Sequence, residues 1–165
     1  MARTEDNLKQ AFAGESQANM KYLAFAKKAE QEGFRNVARL FRTAAQAETI
    51  HAQGHLAAMD SVGSTADNLR AADAGETYEY TEMYPPMVKQ AAADNSRAER
   101  MFDFALKAEA VHAKLYQMAL KAVQQGKDLT EVEFFLCPVC GDIEIGHAPN
   151  VCPICGTKGE KFIKM

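Results

Sequence analysis

The sequence predicts an all-α four-helix bundle followed by a small cysteine-rich domain. Of 29 alanines, 28 precede residue 126, in a region dominated by residues that favour helices. Apolar residues recur there at the three- and four-residue spacing of helices that face a core. All four cysteines, three of five prolines and four of ten glycines follow residue 126. We therefore expect a helical domain over 1–130 and a small domain over 131–165.

Breaks in the helical pattern separate four predicted helices. The breaks fall at Gly33, at Val62-Gly63-Ser64 and near Asp94-Asn95-Ser96. The predicted spans are 4–31, 34–60, 74–90 and 96–125. The third helix is bent or interrupted by Pro85-Pro86. A loop over 62–73 joins the two halves, and this arrangement of connections is typical of a bundle.

Charge and hydropathy exclude several classes of partner. The chain has 19 basic and 22 acidic residues, and no long run of like charges suggests a nucleic-acid surface or a polybasic membrane anchor. Neither a signal-peptide core nor an 18-residue apolar run is present. We expect a soluble, cytoplasmic protein. In a reducing cytosol, clustered cysteines more often bind a metal than form disulfides.

An internal repeat covers the helical region. A shift of 61 residues aligns its first half with its second, without a gap. Glu15 and Glu48 are 33 residues apart, as are Glu76 and Glu109. The aligned blocks are Ala13-Gly14-Glu15-Ser16 with Ala74-Gly75-Glu76-Thr77, Arg39-Leu40-Phe41 with Arg100-Met101-Phe102, and residues 47–52 with 108–113. The repeat indicates a duplicated helical hairpin.

Acidic and imidazole side chains of the repeat fall on the predicted core faces. Buried carboxylates that converge without a cation cost several kcal/mol each. A Glu and a His three residues apart on one helix can reach the same ion. Composition predicts about 0.3 chance Glu-x-x-His pairs, yet two occur in register, Glu48-x-x-His51 and Glu109-x-x-His112. With one glutamate from each remaining helix, they predict a dinuclear site suited to iron or manganese, although zinc could occupy it.

Glu79 breaks the symmetry of the repeat. It lies one turn after Glu76, whereas the matching position in the first half is Ala18. Glu79 is either an additional ligand that makes the two metal ions inequivalent or a solvated surface residue.

The cysteines form two knuckles, Cys137-Pro-Val-Cys140-Gly and Cys152-Pro-Ile-Cys155-Gly. Each turn directs two thiolates at one ion, and four thiolates suit tetrahedral iron or zinc. Tetrathiolate iron transfers one electron, whereas zinc is redox-inert. Beside a predicted dinuclear centre we favour iron, with zinc possible in recombinant protein.

These motifs, together with Glu82-Met-Tyr-Pro85, resemble the rubrerythrin family over essentially the whole chain. The resemblance implies a ferritin-like four-helix bundle with an internally duplicated hairpin, followed by a rubredoxin-like metal-knuckle domain. It implies two non-haem irons in a carboxylate-bridged site and a third iron on Cys137, Cys140, Cys152 and Cys155.

The resemblance also implies a role for each residue of the dinuclear site. One iron would be held by Glu15, Glu48, Glu79 and Glu109. Glu48 and Glu109 would bridge to a second iron, held also by Glu76 and His112. On reduction the first iron would exchange Glu79 for His51. The hydroxyl groups of Tyr22 and Tyr84 would hydrogen-bond the bridging carboxylates.

The implied activity is a peroxidase that reduces hydrogen peroxide to water in oxidative-stress defence. Electrons would come from NAD(P)H through a separate reductase or a rubredoxin and would enter at the tetrathiolate iron. No Gly-x-Gly-x-x-Gly motif follows a predicted strand, so we do not expect this chain to bind NADH.

Two further expectations concern assembly and an alternative function. We expect a homodimer in which the tetrathiolate centre of one subunit lies near the di-iron site of the other. Helix pairs could be exchanged through the 62–73 segment. The alternative function is that of a ferritin-like ferroxidase or iron-handling protein, with the tail as a structural zinc clip or docking module.

Overall fold

The computed structural model describes residues 3–130 and 132–165. The predicted start of the small domain, residue 131, lies outside the described residues, so that boundary stays a prediction. The chain divides into two compact units, Met1–Gly63 and Ser64–Met165, and this division falls between the two copies of the repeat. Within the described residues, no helix has the length and apolar character needed to cross a bilayer.

The first unit is a helical hairpin. Its helices, α1 (Thr4–Gln31) and α2 (Arg35–Ala58), pack against each other and are joined at Gly33. Gly33 has φ +86°, a conformation that costs glycine little. Small side chains at the contact let the two helix axes approach closely. The buried residues are Ala26, Ala29, Ala38, Ala45 and Ala52. Both helices agree with their predicted spans to within about two residues.

A second helical hairpin opens the second unit. It contains α3 (Thr65–Tyr78), α4 (Tyr84–Ala93) and α5 (Glu99–Gln124). Both α3 and α4 pack against α5. The turn before α5 contains Asn95 with φ +50°, at the predicted break. Here too, α5 lies within its predicted span.

The predicted loop over 62–73 is wrong for most of its length, because α3 begins at Thr65. The Ser64 hydroxyl accepts a 3.2 Å hydrogen bond from the backbone N–H of Asp67, which satisfies one of the free N–H groups at the helix start. The repeat contained this signal, since the 61-residue shift carries Thr4, the start of α1, onto Thr65. The segment between helices therefore covers only residues 59–64, and the exchange of helix pairs through it stays a prediction.

A π-helical turn, Glu79–Met83, joins α3 to α4 without a break. Pro85 and Pro86 follow it directly. Their rings lack an N–H and crowd the carbonyls one turn earlier, which favours a wider turn. The backbone N–H of Tyr84 accordingly donates to the carbonyl of Glu79, five residues back. The prolines widen the helix, where the sequence had suggested a bend or an interruption.

The cysteine-rich segment forms a small antiparallel sheet with strand order β2-β1-β3. The strands are β1 (Phe134–Leu136), β2 (Ile143–Ile145) and β3 (Ile163–Lys164), and a 3-10 turn at Gly159–Lys161 precedes β3. In the register, Phe135 lies opposite Glu144 on one side and Lys164 on the other. Contacts between β2 and α5 join this segment to the helices of the second unit.

Both cysteine knuckles have the same backbone geometry. The N–H groups of Gly141 and Gly156 donate 3.0 Å hydrogen bonds to the carbonyls of Cys137 and Cys152, respectively. The two glycines have φ values of +83° and +76°, which residues with a Cβ rarely adopt. The glycine after each second cysteine is therefore required by the turn itself.

Candidate metal centres

The first unit brings together three predicted ligands, Glu15, Glu48 and His51. One ligand atom of each lies within 4.8 Å of the others. Nδ1 of His51 is 3.1 Å from Oε2 of Glu48. Helical spacing explains the pair, because residues three apart share one face of α2. This group, called the first cluster below, can offer two carboxylates and one imidazole to a metal ion.

The electrostatics of the first cluster suit a bound cation. A hydrogen bond between the carboxyl groups of Glu15 and Glu48 raises the pKa of Glu15 and lowers that of Glu48. A second hydrogen bond, with His51, lowers the pKa of Glu48 further. Two carboxyl groups this close share a proton unless a metal ion replaces it. The donor set therefore fits the cationic centre that the sequence predicts.

The second unit contains the matching group, Glu76, Glu109 and His112, here called the second cluster. Its ligand atoms also lie within 4.8 Å of one another. Nδ1 of His112 is 2.7 Å from Oε2 of Glu109 and 3.9 Å from Oε1 of Glu76. Burial, then the hydrogen bond to Glu109, raises the pKa of Glu76. The second cluster thus repeats the chemistry of the first on α3 and α5.

The two histidines differ in their surroundings. Nε2 of His112 lies 2.9 Å from the carbonyl oxygen of Gly141, to which it can only donate a proton. This hydrogen bond fixes the tautomer that leaves Nδ1 free to bind a metal. By contrast, the His51 side chain is 55% exposed, against 17% for His112. Within the described residues, Nε2 of His51 has no hydrogen-bond partner.

The hydrogen bond of His112 joins the second cluster to the first cysteine knuckle. Gly141 follows Cys140 directly. The contact lies within one chain. The predicted approach of a partner subunit's tetrathiolate centre to the di-iron site stays a prediction. No sequence signal identified the Gly141 carbonyl, since a backbone acceptor leaves no side-chain pattern.

Glu79 and Tyr84 lie beside the second cluster but outside its group of three ligands. Burial, and then the charge of Glu76, raises the pKa of Glu79. The pKa of Tyr84 is raised by burial and by the nearby carboxylates, chiefly that of Glu79. Glu79 is therefore half-buried against the cluster and is not a solvated surface residue.

The predicted hydrogen bonds from Tyr22 and Tyr84 to carboxylates are missing among residues 3–130 and 132–165. Tyr22 instead packs with Phe25 and Phe41, at ring-centroid distances of 6.3 and 6.2 Å. Tyr84 packs with Phe102 at 6.2 Å. Both tyrosines therefore serve as core aromatics in this structure, and their role at the carboxylates stays a prediction.

The four cysteines converge on one point without forming a disulfide. Their ligand atoms lie within 4.8 Å of one another, and two Sγ–Sγ distances are 3.5 Å, Cys137 to Cys155 and Cys140 to Cys152. Tetrahedral thiolates with metal–sulfur bonds of about 2.3 Å have sulfurs about 3.8 Å apart. The sulfur positions therefore fit a tetrathiolate metal centre.

Burial sets the electrostatics of these thiols. It raises the pKa of Cys140 strongly and that of Cys152 to about 11. At Cys155, burial raises the pKa, but the hydrogen bonds with Thr157, Cys137 and Cys140 together outweigh it and bring the pKa to about 7. Three buried thiols and one readily ionised thiol suit a metal ion that is shielded from solvent. Such an ion would displace the protons of all four thiols.

Asp142 is a buried charged residue that sequence reasoning missed. It is 1% exposed, and its Oδ2 lies 3.4 Å from Sγ of Cys152. Within the described residues, its Oδ1 has no hydrogen-bond partner. A carboxylate here adds negative charge beside the thiolates, one of the factors that tune the potential of such sites. In the sequence, the signal that could have identified Asp142 is its position directly after Gly141, the glycine of the first knuckle.

Comparison with protein families gives two matches. The family model described as rubrerythrin matches residues 6–120. A second, described as the rubredoxin-like domain of rubrerythrin, matches residues 135–163. Between them, the two matches include every predicted ligand.

Curated proteins and solved structures agree with these matches. Rubrerythrin-2 of Clostridium acetobutylicum is 39% identical over 98% of this chain and 96% of its own length. Nigerythrin of Nitratidesulfovibrio vulgaris is 39% identical over 96% of this chain and 85% of its own. A solved structure of fully reduced, all-ferrous nigerythrin has a TM-score of 0.59 at 35% identity, covering 100% of this chain and 88% of that one. These matches confirm the predicted fold class, a ferritin-like four-helix bundle with a rubredoxin-like domain.

Proposed function

Because the chain belongs to the rubrerythrin family, we propose that it is a non-haem di-iron peroxidase that reduces hydrogen peroxide to water. Rubrerythrins are iron-dependent oxidoreductases, and the family carries a di-iron site and a tetrathiolate iron. The related nigerythrin has been solved in an all-ferrous state. The carboxylate, imidazole and thiolate donors described above fit iron in both kinds of site.

We propose that the two clusters are the two halves of one dinuclear site, with the roles that the family pattern assigns. Glu48 and Glu109 would bridge, and the remaining ligands would be Glu15, Glu76, Glu79, His51 and His112. The domain division at residues 130 and 131 is part of the same proposal. The chemistry of the clusters supports a shared dinuclear site, because each half alone holds more carboxylate than a single imidazole can neutralise.

Peroxide reduction consumes two electrons and two protons and releases two water molecules. When bound, the iron pair supplies both electrons together and the tetrathiolate iron returns them singly. The protein's part is to hold ligands in position. His112 is held between Glu109 and the Gly141 carbonyl, so its ring cannot rotate freely. The exposed His51 has the freedom that an exchange with Glu79 requires.

The observation that carries the proposal is the hydrogen bond between His112 and Gly141. One ring nitrogen of His112 faces the second cluster, and the other contacts the residue after Cys140. A ferroxidase with a zinc clip has no need of a thiolate centre linked to its iron ligand. Direct linkage favours a protein in which electrons pass from the tetrathiolate iron to the dinuclear site.

Removing one thiolate tests the proposal. We expect Cys140→Ser to abolish peroxidase turnover driven by an NADH-dependent reductase, together with the red colour of ferric tetrathiolate iron. Ferrous oxidation by dioxygen at the carboxylate site would persist. Retained reductase-driven turnover, or a wild-type protein that carries zinc on the cysteines when produced in its native host, would instead support the ferroxidase alternative.

Partners and location follow from the same proposal. Electrons would come from a reductase or rubredoxin supplied by NAD(P)H, and the protein would act as a homodimer in the cytoplasm. Four free thiols that bind iron require a reducing compartment. Size-exclusion chromatography tests the dimer, and a fully active 18 kDa monomer would contradict it.

A further inference from the structure

A basic concavity lies against the cysteine module in the second unit. Its volume is about 480 Å³, and it is partly open to solvent. It is called the arginine face below. Its lining residues are Arg97, Arg100, Met101, Phe104 and Val139. Helix α5 and the turn before it provide four of them, and the first knuckle provides Val139.

The arginine face reaches the tetrathiolate centre through two side chains. Phe104, one of its lining residues, packs against the buried cluster of Cys137, Cys140 and Cys152. Val139 lies between the two cysteines of the first knuckle and is 44% exposed. An electron donor seated here would be separated from the thiolates by a single layer of side chains.

Two uncompensated positive charges flank this layer. Arg97 and Arg100 are exposed, and neither forms an ion pair with a carboxylate in the described part of the chain. The guanidinium of Arg100 lies over the ring of Phe104, 5.5 Å from its centroid. This cation–π contact holds the charge beside that lining residue. The arrangement is notable because the whole chain has a net charge of −3.

Two acidic residues lie on the other side of the arginines. Glu99 and Asp103 line the adjacent groove but not the arginine face itself. Asp103 is paired with Lys107, whose Nζ is 2.6 Å from Oδ2. Among the residues that line these two concavities, only Glu99 remains to offset the two arginines, so the face keeps a positive charge.

We propose that the arginine face is the docking surface for an acidic one-electron donor protein. The inference rests on the proposed function and specifies the partner of the tetrathiolate centre. An apolar centre of Met101 and Val139 with a charged border suits a small, short-lived redox interface. In the docked complex one electron leaves the donor's reduced centre and converts ferric tetrathiolate iron to ferrous. No bond breaks, and the donor is oxidised by one electron.

Stopped-flow kinetics with a purified acidic flavodoxin in its hydroquinone state test this proposal. The decay of the ferric tetrathiolate absorption gives a second-order rate constant. We expect Arg97→Gln/Arg100→Gln to lower that constant roughly tenfold at low salt and to flatten its dependence on ionic strength. Glu99→Gln, which removes the opposing charge, should raise it.

Matched controls distinguish an effect on donor docking from a general loss of structure or of the tetrathiolate centre. Arg35→Gln/Arg39→Gln removes the same charge from the first unit, where Arg39 is the repeat equivalent of Arg100, and should leave the rate constant unchanged. At high ionic strength, where surface charges are screened, the small reductant methyl viologen in its reduced form should reduce wild type and all variants equally fast. Equal flavodoxin rates in the two double variants would overturn the proposal. So would a changed oligomeric state of Arg97→Gln/Arg100→Gln, because the face would then be a contact between copies.

The same experiment keeps the two proposals distinguishable. If viologen supports peroxide turnover in every variant while flavodoxin rates do not respond to the arginines, the docking surface is wrong and the peroxidase stands. If viologen reduces the tetrathiolate iron but no variant consumes peroxide, the proposed function fails whatever the docking result.

Discussion

The difference between His51 and His112 originates in one backbone carbonyl. Both residues end a Glu-x-x-His pair in the same register of the repeat. Only His112 meets a second acceptor, because the knuckle glycine presents its carbonyl to Nε2. Sequence alone predicted both imidazoles as ligands. It could not predict which one is fixed, since that depends on a backbone atom 29 residues away.

At the residue scale, we predict that Glu109→Gln removes iron from the carboxylate site only. The substitution keeps the shape of the side chain but removes a charged ligand and a partner of His112. We expect peroxidase turnover to fall by about 100-fold or more, given that even outer-shell partners of a metal cost 10–100-fold. Metal analysis should find the tetrathiolate iron retained, with its red absorption unchanged.

Glu82→Gln is the matched control for that variant. Glu82 is exposed, lies in a different family motif, Glu82-Met-Tyr-Pro85, and belongs to neither cluster. Its iron content and turnover should equal those of the wild type. Equal losses of iron and turnover in both variants would mean that Glu109→Gln acts through the loss of one negative charge, not through the loss of a metal ligand.

At the scale of elements, the sequence specified helices better than their junctions. Alanine content and periodicity predicted α1, α2 and α5 closely. The predicted loop extends the break at Gly63 to residue 73, although the repeat carries Thr4, the start of α1, onto Thr65. The π-helical turn could not be predicted from propensity. It arises from a conflict between two prolines and the helix that they continue.

Ser64→Ala tests the observed start of α3. Loss of the hydroxyl that caps the Asp67 N–H should lower the free energy of unfolding by about 1 kcal/mol, measured with urea. Ser61→Ala, an exposed serine in the same connection, should have little effect. A neutral result for Ser64→Ala would contradict a helix that begins at residue 65.

The same cap predicts a dependence on pH. A hydrogen bond from the Ser64 hydroxyl, followed by the charge of Arg70, lowers the pKa of Asp67 below its usual range. A lowered folded-state pKa stabilises the fold above the unfolded pKa, and this contribution is lost as the pH falls through the folded value. The stability difference between wild type and Asp67→Asn should therefore shrink in acid, in urea titrations at successive pH values. A difference that persisted under strong acid would contradict the assignment.

For the molecule as a whole, we expect bound metal ions to contribute to stability, because the most fully buried side chains are small. The buried residues of the helices are alanines, which contribute little apolar area each. In the cysteine-rich segment, the buried residues are three cysteines and Asp142. The contrast between alanine-rich helices and a cysteine-rich segment was predictable from composition, which changes at residue 126. The direct junction between the second cluster and the first cysteine knuckle was not predictable, because it depends on how the knuckle packs on α5.

We predict that iron stabilises the protein measurably. A ligand that binds only the native state at 100 times its Kd adds about 2.7 kcal/mol. Anaerobic reconstitution of chelated, reduced apoprotein should therefore raise the Tm. In Glu109→Gln the rise should be smaller, since only the tetrathiolate site refills. Equal Tm values with and without iron would show that the clusters do not bind metal in the folded protein.

The most direct test of the central claim is an anaerobic single-turnover titration of the fully reduced protein with hydrogen peroxide. If the protein is a di-iron peroxidase, one peroxide should be consumed for each pair of carboxylate-bound irons, without release of hydroxyl radical to a spin trap. Glu109→Gln should consume almost none on the same timescale. Peroxide that survives mixing with the wild type, or oxidation of the iron pair that is faster with dioxygen than with peroxide, would contradict it.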